Sequence, residues 1–334
     1  MDAGFLLLAL VIILVGAELF TNALEHVGQR FRLSEGVVGS VFAAVATALP
    51  ETVVPVVAVF FGSSAQAVRE DIGVGAILGS PLMLVTLALA LVALFTGMKR
   101  GWMTELKPER SGLLRDLGYF LVAYAIAFMA LYAPNSPAGI HTMASLCLVF
   151  LYGYYVYNTI RASEALVKRG HGTAAGAPLR LSHLGLPHVP AFEAVQLVLG
   201  VAFIIGGAKL FVMGVEQIAS STGISALVLS LIIIPIATEM PEKFNSILWV
   251  RRGKDTLAFG NLTGAMVFQG TLLPAFGLQL AGWKPDHDVV WTIGITFTMT
   301  LWTLVLALRR RLTPLALLIN GVAYVTFFAL ILSH

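Results

Sequence analysis

Two heptapeptides decide how this chain folds: Val45-Ala46-Thr47-Ala48-Leu49-Pro50-Glu51 and Ile236-Ala237-Thr238-Glu239-Met240-Pro241-Glu242. Each lies in the middle of a long apolar stretch, Gly36–Phe61 and Ser225–Val250. Such stretches are long enough to cross a bilayer as helices. A carboxylate held near the bilayer centre costs at least ~2.5–3.5 kcal/mol, so it demands a partner. Each proline lacks an N–H and disrupts its helix, leaving the carbonyl four residues earlier, Ala46 or Ala237, without its donor. Thr47 and Thr238 precede Glu51 and Glu242 by one helical turn, so hydroxyl and carboxylate share a face. Each heptapeptide therefore offers a carboxylate, a hydroxyl and a carbonyl together. Hard oxygen ligands of this kind suit Ca²⁺ or Na⁺, whereas zinc favours His and Cys.

The two stretches are copies. A shift of 191 positions aligns Gly16–Glu51 with Gly207–Glu242 without a gap, pairing Thr47 with Thr238, Pro50 with Pro241 and Glu51 with Glu242. After a six-residue contraction, Gly75, Gly79 and Thr86 meet Gly260, Gly264 and Thr271. Apolar sequences match by chance, but a Thr-x-x-Pro-Glu repeated inside two spans does not.

Outside these segments the chain is equally apolar. It has 334 residues, 58% hydrophobic and 12% charged. A chain so poor in charge cannot cover a water-exposed surface and must meet lipid. About ten stretches reach spanning length: Phe5–Val27, Gly36–Phe61, Gly73–Thr96, Leu117–Ala133, Ile140–Thr159, Phe192–Ile218, Ser225–Val250, Thr256–Ala281, Val289–Leu308 and Pro314–Leu332. The first has Asp2 ahead of it rather than a basic leader and contains Glu18, so it reads as a retained helix. The predicted fold is an all-α polytopic membrane protein of two five-helix repeats, residues 1–160 and 191–334, joined by a polar linker over 161–190. Five is odd, so the second repeat enters the membrane inverted. That is a transporter architecture, with its site near the midplane where broken helices meet. Lys and Arg crowd into alternate loops, Arg30 to Arg32, Lys99 to Arg115, Arg161 to Arg180, Arg251 to Lys254 and Arg309 to Arg311. Those loops are expected in the cytoplasm and both termini outside, in a cell membrane.

Further polar residues fall inside the spans. Ser80, Asn261 and Gln269 are either oxygen ligands or helix-to-helix hydrogen bonds, while Gly73, Gly75, Gly79, Gly260 and Gly264 suit close packing. Glu239 and Lys243 stand four apart and can neutralise each other. If they do, Glu239 is no ligand; if they do not, Lys243 takes the place of a second cation or Glu239 carries a proton. Glu18 and Lys209 occupy equivalent positions and are expected to pair across the halves. The one cysteine, Cys147, reads as a small core residue, and His171, His183 and His188 as solvated loop side chains. No disulfide framework is possible, and no nucleic-acid patch appears. Neither a phosphate-binding Gly-x4-Gly-Lys-Ser/Thr loop nor a His-Glu-x-x-His motif is present, which argues against ATP-driven pumping and intramembrane hydrolysis.

At the two heptapeptides, and at Gly75-Ala76-Ile77-Leu78-Gly79-Ser80-Pro81 and Gly260-Asn261-Leu262-Thr263-Gly264-Ala265-Met266, the chain resembles the sodium/calcium exchanger superfamily, the calcium/cation antiporters. Its members carry two inverted repeats, each with a Ser/Thr-x-Pro-Glu-like segment and a Gly-Asn-x-x-Gly-Ser-Asn-like segment. The resemblance covers nearly the whole chain. It implies ten helices and alternating access around a central cation, with Glu51 and Glu242 as principal ligands and Thr47 and Thr238 beside them. Ala76, Pro81, Ala265 and Met266 depart from the pattern by removing neutral oxygens, and Glu239 and Lys243 add charges. The expectation is a secondary antiporter, not an enzyme and without a cofactor, exchanging Ca²⁺ for Na⁺ or H⁺. Its partners are inorganic cations and the lipid bilayer. A Na⁺/H⁺ or other cation/proton exchanger of the same fold, or a passive cation channel, are the alternatives.

Overall fold

The computed structural model describes residues 3–30, 48–62, 65–132, 139–167, 178–185, 189–223, 225–280 and 287–332. In the first repeat the helices are α1 (Ala3–Arg30), α2 (Leu49–Phe61), α3 (Gln66–Met83), α4 (Leu89–Arg100), α5 (Arg110–Leu131) and α6 (Gly139–Val167). A π turn over Leu84–Ala88 joins α3 to α4 into one span. In the second repeat they are α7 (Pro190–Thr222), α8 (Ala226–Thr238), α9 (Met240–Arg251), α10 (Asp255–Leu280), α11 (His287–Leu308) and α12 (Pro314–Leu332). A short 3₁₀ turn, Arg180–Leu184, precedes α7. Six of the spans are by themselves long and apolar enough to cross a membrane, among them Gln66–Arg100 and Pro190–Ser221. The others are α1, the segment ending in α2, the broken pair α8 and α9, and the polar-studded α10.

The inverted repeat is visible atom by atom where α1 and α7 pack antiparallel along their length. A Cβ on Gly16 would lie 2.8 Å from both the Gly200 carbonyl oxygen and the Ile204 amide nitrogen. One on Gly207 would lie 3.0 Å from the Ile13 nitrogen and 3.1 Å from the Ala9 oxygen. Subtracting 191 from Gly207, Ile204 and Gly200 returns Gly16, Ile13 and Ala9. The two helices thus exchange places about a pseudo-two-fold axis, and only glycine allows so close an approach. The break in each second span obeys the same relation. Ala48 sits at φ −80°, ψ 4° and Glu239 at φ −87°, ψ 12°, each immediately before a helix with proline in its first turn.

That register corrects one expectation. Across the α1–α7 contact, residue numbers sum to about 220, as in Ile13 beside Gly207 and Leu6 beside Gly214. Glu18 and Lys209 sum to seven more, which sets them roughly 10 Å apart along the axis. Both are exposed, and Glu18 instead pairs with Arg180 at 2.6 Å. Cys147 also departs from its reading: it is exposed on α6, whose outer face carries Met143, Leu146 and Phe150.

Two apolar cores divide the molecule. The larger joins α3, the π turn, α4, α5, Tyr155 of α6 and α8 to α12 around residues such as Leu82, Leu89, Phe120, Leu231, Met266, Leu317 and Phe327, so α8 lines both cores. The smaller joins α1, α2, the start of α3, α7 and α8 through Ile13, Val54, Ile72, Phe211 and Ile234. At the end bearing the basic loops, the larger body is tied tightly. Arg100 binds Asp255 in a fork, Lys107 N–H donates to the same carboxylate at 2.8 Å, and Lys99 Nζ donates to the Arg251 carbonyl at 2.8 Å. The smaller body has its own ties at that end. Arg30 pairs with Glu193 at 2.7 Å, and Asn22 and Gln196 hold the backbone of the 3₁₀ turn at Arg180 and Leu181. The smaller body is lopsided. α7 packs along α2, but among the described residues α1 makes no comparable contact with the equivalent helix, α9.

Candidate functional site

Where the two cores meet, the broken spans deliver their charges. Glu51 and Glu242 each stand in the first turn of a half-helix, α2 and α9, with proline beside them. A helix start bears unpaired amide N–H groups and a positive partial charge, which favours a carboxylate there. Proline suits this position because its missing N–H would be unbonded anyway. The C-terminal end of α8, with the opposite partial charge and the Ala237 carbonyl that Pro241 cannot bond, faces the same break. Main-chain dipoles of both signs are therefore aimed at one place.

Glu51, Glu239 and Glu242 are all fully buried, and Lys243 is 5% exposed. The charges of Glu242, Glu239 and Lys243 all act on Glu51, so the four groups form one cluster. Neither oxygen of Glu51 accepts a hydrogen bond from a described residue. Lys243 Nζ lies 3.3 Å from Glu239 Oε2 and donates to the Pro235 carbonyl at 3.1 Å, with Met83 Sδ also at 3.1 Å. Sequence reasoning left the Glu239–Lys243 contact open, and the two side chains do meet.

Thr238 is buried and donates its hydroxyl proton to Ile234 O at 3.0 Å, which leaves its lone pairs for another group. Ser80 is fully buried beside Glu239 with no hydrogen bond from its oxygen. Asn261 uses its amide nitrogen on Glu242 O and Ser246 Oγ at 3.2 and 3.1 Å, while its Oδ1 has no hydrogen bond among the described residues. Helix bridging and a spare oxygen thus coexist in one side chain. Gln269 is buried with neither amide atom bonded. Ala46 and Thr47 lie outside the described residues. Buried polar atoms without partners are rare in folded proteins, and a group of them marks a place built for something else to bind.

Two residues around the cluster, Tyr324 and Ser246, escaped sequence reasoning, as did the buried Asp116 elsewhere in the larger body. Tyr324 of α12 stands near enough to Glu239 to feel its charge. Ser246 supports Asn261 and itself donates to Ala258 O at 3.1 Å. Asp116, buried on α5, accepts from Thr263 at 2.8 Å and Tyr155 at 3.1 Å, joining α5, α6 and α10. Among the described residues no group of three or more His, Cys, Asp or Glu side chains is placed so that it could hold a metal ion by itself, so neutral oxygens would have to complete any ligand set.

The description "sodium/calcium exchanger protein" belongs to the family model that this sequence matches, over residues 1–161 and 192–334. The chain belongs to that family. Its relatives include a protein of Alkalimonas amylolytica provisionally named antiporter CaxA, 26% identical over 98% of both chains. Inner membrane protein YrbG of Escherichia coli (strain K12) is 24% identical over 90% of this chain and 88% of its own. Among solved structures, the H⁺/Ca²⁺ exchanger CAX superposes with a TM-score of 0.74 at 18% identity, covering 99% of this chain and 86% of that one. The sodium-calcium exchanger NCX_Mj gives 0.62 at 20% identity, covering 98% and 99%. The chain is accordingly a multi-pass membrane protein of the exchanger fold, two inverted five-helix repeats.

Proposed function

We propose that this exchanger is a secondary antiporter that moves Ca²⁺ against Na⁺ or H⁺, binding both in turn at the cluster of Glu51 and Glu242. The observation that carries the reading is their convergence. Two carboxylates, from equivalent first turns of oppositely oriented halves, are buried and act on each other's charge, with Ser80 next to Glu239 and Asn261 bonded to the Glu242 carbonyl. Glu51, Glu242 and the hydroxyl and carbonyl oxygens of Thr47, Thr238, Ala46 and Ala237 form the ligand set. Oxygen donors of this hardness and number suit Ca²⁺. Solved relatives of the same fold are named for H⁺/Ca²⁺ and sodium-calcium exchange, which supports the choice of ions.

Coupling follows from electrostatics. Without a bound cation the cluster carries excess negative charge in a low-dielectric interior, and helix movements that close it off from water cost several kcal/mol per charge. Either Ca²⁺ or the counter-ions remove that charge, so only the occupied protein passes between its two access states. The lopsided body of α1, α2 and α7 supplies the motion. α7 lies against α2, which runs from the break toward the end away from the basic loops, while among the described residues α1 makes no comparable contact with α9, which runs toward the basic end. With the basic loops in the cytoplasm of a cell membrane, this is the inward-facing state.

The test is ⁴⁵Ca²⁺ uptake by proteoliposomes under an imposed Na⁺ or pH gradient. Uptake driven by one gradient and lost by at least 100-fold in Glu51→Gln is expected. Flux that ignores both gradients identifies a passive channel and overturns the reading, as does full activity in Glu51→Gln.

A further inference from the structure

The charge pair at Glu239 and Lys243 has no counterpart in the other half. The 191-residue shift carries them onto Ala48 and Thr52. There the backbone makes the same break, and the Thr52 hydroxyl turns back on its own helix, donating to Ala48 O at 2.8 Å. The fold therefore builds this element without an ion pair. A buried ion pair is in any case weak evidence for stability, since desolvation offsets its attraction. Lys243 does not fold back along α9 toward lipid. Its ammonium sits between a carboxylate oxygen of Glu239, the Pro235 carbonyl and Met83 Sδ, reaching from the second repeat to the third span of the first. The sequence set pairing with Glu239 and occupation of a cation's place as alternatives; here they coincide, since a main-chain carbonyl and a carboxylate oxygen are ligands a monovalent cation also takes.

We infer that Lys243 is a resident cation: its ammonium permanently fills one cation position of the exchange site and thereby sets the exchange ratio at one Ca²⁺ for two monovalent ions. The inference rests on the proposed transport site. Among these four described groups Glu51, Glu239 and Glu242 bring three negative charges and Lys243 one positive, a net formal charge of minus two. One Ca²⁺ or two monovalent ions offset it equally, and a complete cycle moves no net charge.

The experiment is steady-state ⁴⁵Ca²⁺ accumulation in proteoliposomes at a fixed counter-ion gradient, with the membrane potential clamped by valinomycin and K⁺. Wild type, Lys243→Met and the double variant Glu239→Gln/Lys243→Met are compared. Wild-type accumulation is expected to be the same at 0 and −100 mV. In Lys243→Met a third monovalent ion fills the vacated position, one positive charge leaves per cycle, and the same clamp lowers accumulation about 50-fold. The double variant again has two charges to neutralise and loses the voltage dependence. Wild-type accumulation that shifts with potential overturns the inference. So does a Lys243→Met variant that transports without such a shift, or a double variant that keeps it. Should Lys243→Met fail to fold, wild type and the double variant, both expected to be voltage-independent, decide the matter. Absence of gradient-driven Ca²⁺ uptake in wild type overturns the proposed function itself, a different result.

Discussion

Gln269 is the residue whose structural and ion-binding roles are easiest to separate. Its amide is fully buried with neither end hydrogen-bonded among the described residues. Leaving such a group dry costs about 1–3 kcal/mol. Gln269→Leu should therefore raise the unfolding temperature of the ion-free protein while weakening Ca²⁺ about 10-fold, read by thermal unfolding and by uptake at varied Ca²⁺. A pure packing role predicts unchanged affinity. Glu51 and Glu242 were legible from sequence because a carboxylate in an apolar run is costly and theirs recurs in a second copy. Asp116 was not, since its partners Tyr155 and Thr263 are 39 and 147 positions away. Tyr324 escaped for the same reason, sitting on the last helix with no motif around it.

At the scale of helices, the glycines divide into those that touch and those that do not. A Cβ on Gly75 would meet the Leu227 carbonyl oxygen at 2.9 Å as well as the Ser230 side chain. The repeat-related Gly260 has nothing within 4 Å among the described residues. Gly75→Ala should cost about 1–3 kcal/mol by overpacking, whereas Gly260→Ala should be neutral or slightly stabilising. Thermal unfolding of the two variants measures the contrast. Sequence read both as packing glycines because periodicity shows where a helix lies but not how near its neighbour comes. The π turn at Leu84–Ala88 was equally invisible: the Val85 carbonyl is taken by Asn320 Nδ2 at 2.7 Å, a bond across 235 positions. Outside the membrane, α5 begins on a capping residue, Glu109. Burial raises its carboxyl, but the Ser111 hydroxyl and the Gly112 and Ser111 amides outweigh this and hold it below the usual carboxylate value. A depressed carboxyl stabilises the fold above its unfolded pKa, and that contribution is lost as pH falls through the lower folded value. Glu109→Ala should thus cost about 1 kcal/mol at pH 7. The difference from wild type should shrink as pH drops from the ordinary carboxylate range, which unfolding curves at pH 7 and pH 3.5 would show.

For the molecule as a whole, the division into two bodies makes a prediction about where motion resides. Segments that rearrange between states open at lower free energy than a fixed core. Hydrogen exchange with saturating Ca²⁺ against chelator should change mainly in α1, α2 and α7. The helices bound together by Arg100, Asp255 and Lys107 should stay as they are, and equal changes in both bodies would contradict the division. The helix class, the number of spans, the inversion and the grouping of basic loops were legible from hydropathy, repeat and charge. The two-body partition was not, because it depends on which faces touch and the apolar pattern is much the same on every side of these helices.

The antiparallel glycine contact between α1 and α7 reaches further than packing. Since its atoms map onto each other when the halves trade places, the protein's unseen conformer is already written in this one. Relabel the halves, and α1 comes to rest along α9 as α7 leaves α2, reversing which face reaches the break. Any energetic preference between the two then arises only where the copies differ, chiefly at Glu239, Lys243 and the linker turn that grips α1. Those few positions set the resting direction of the carrier.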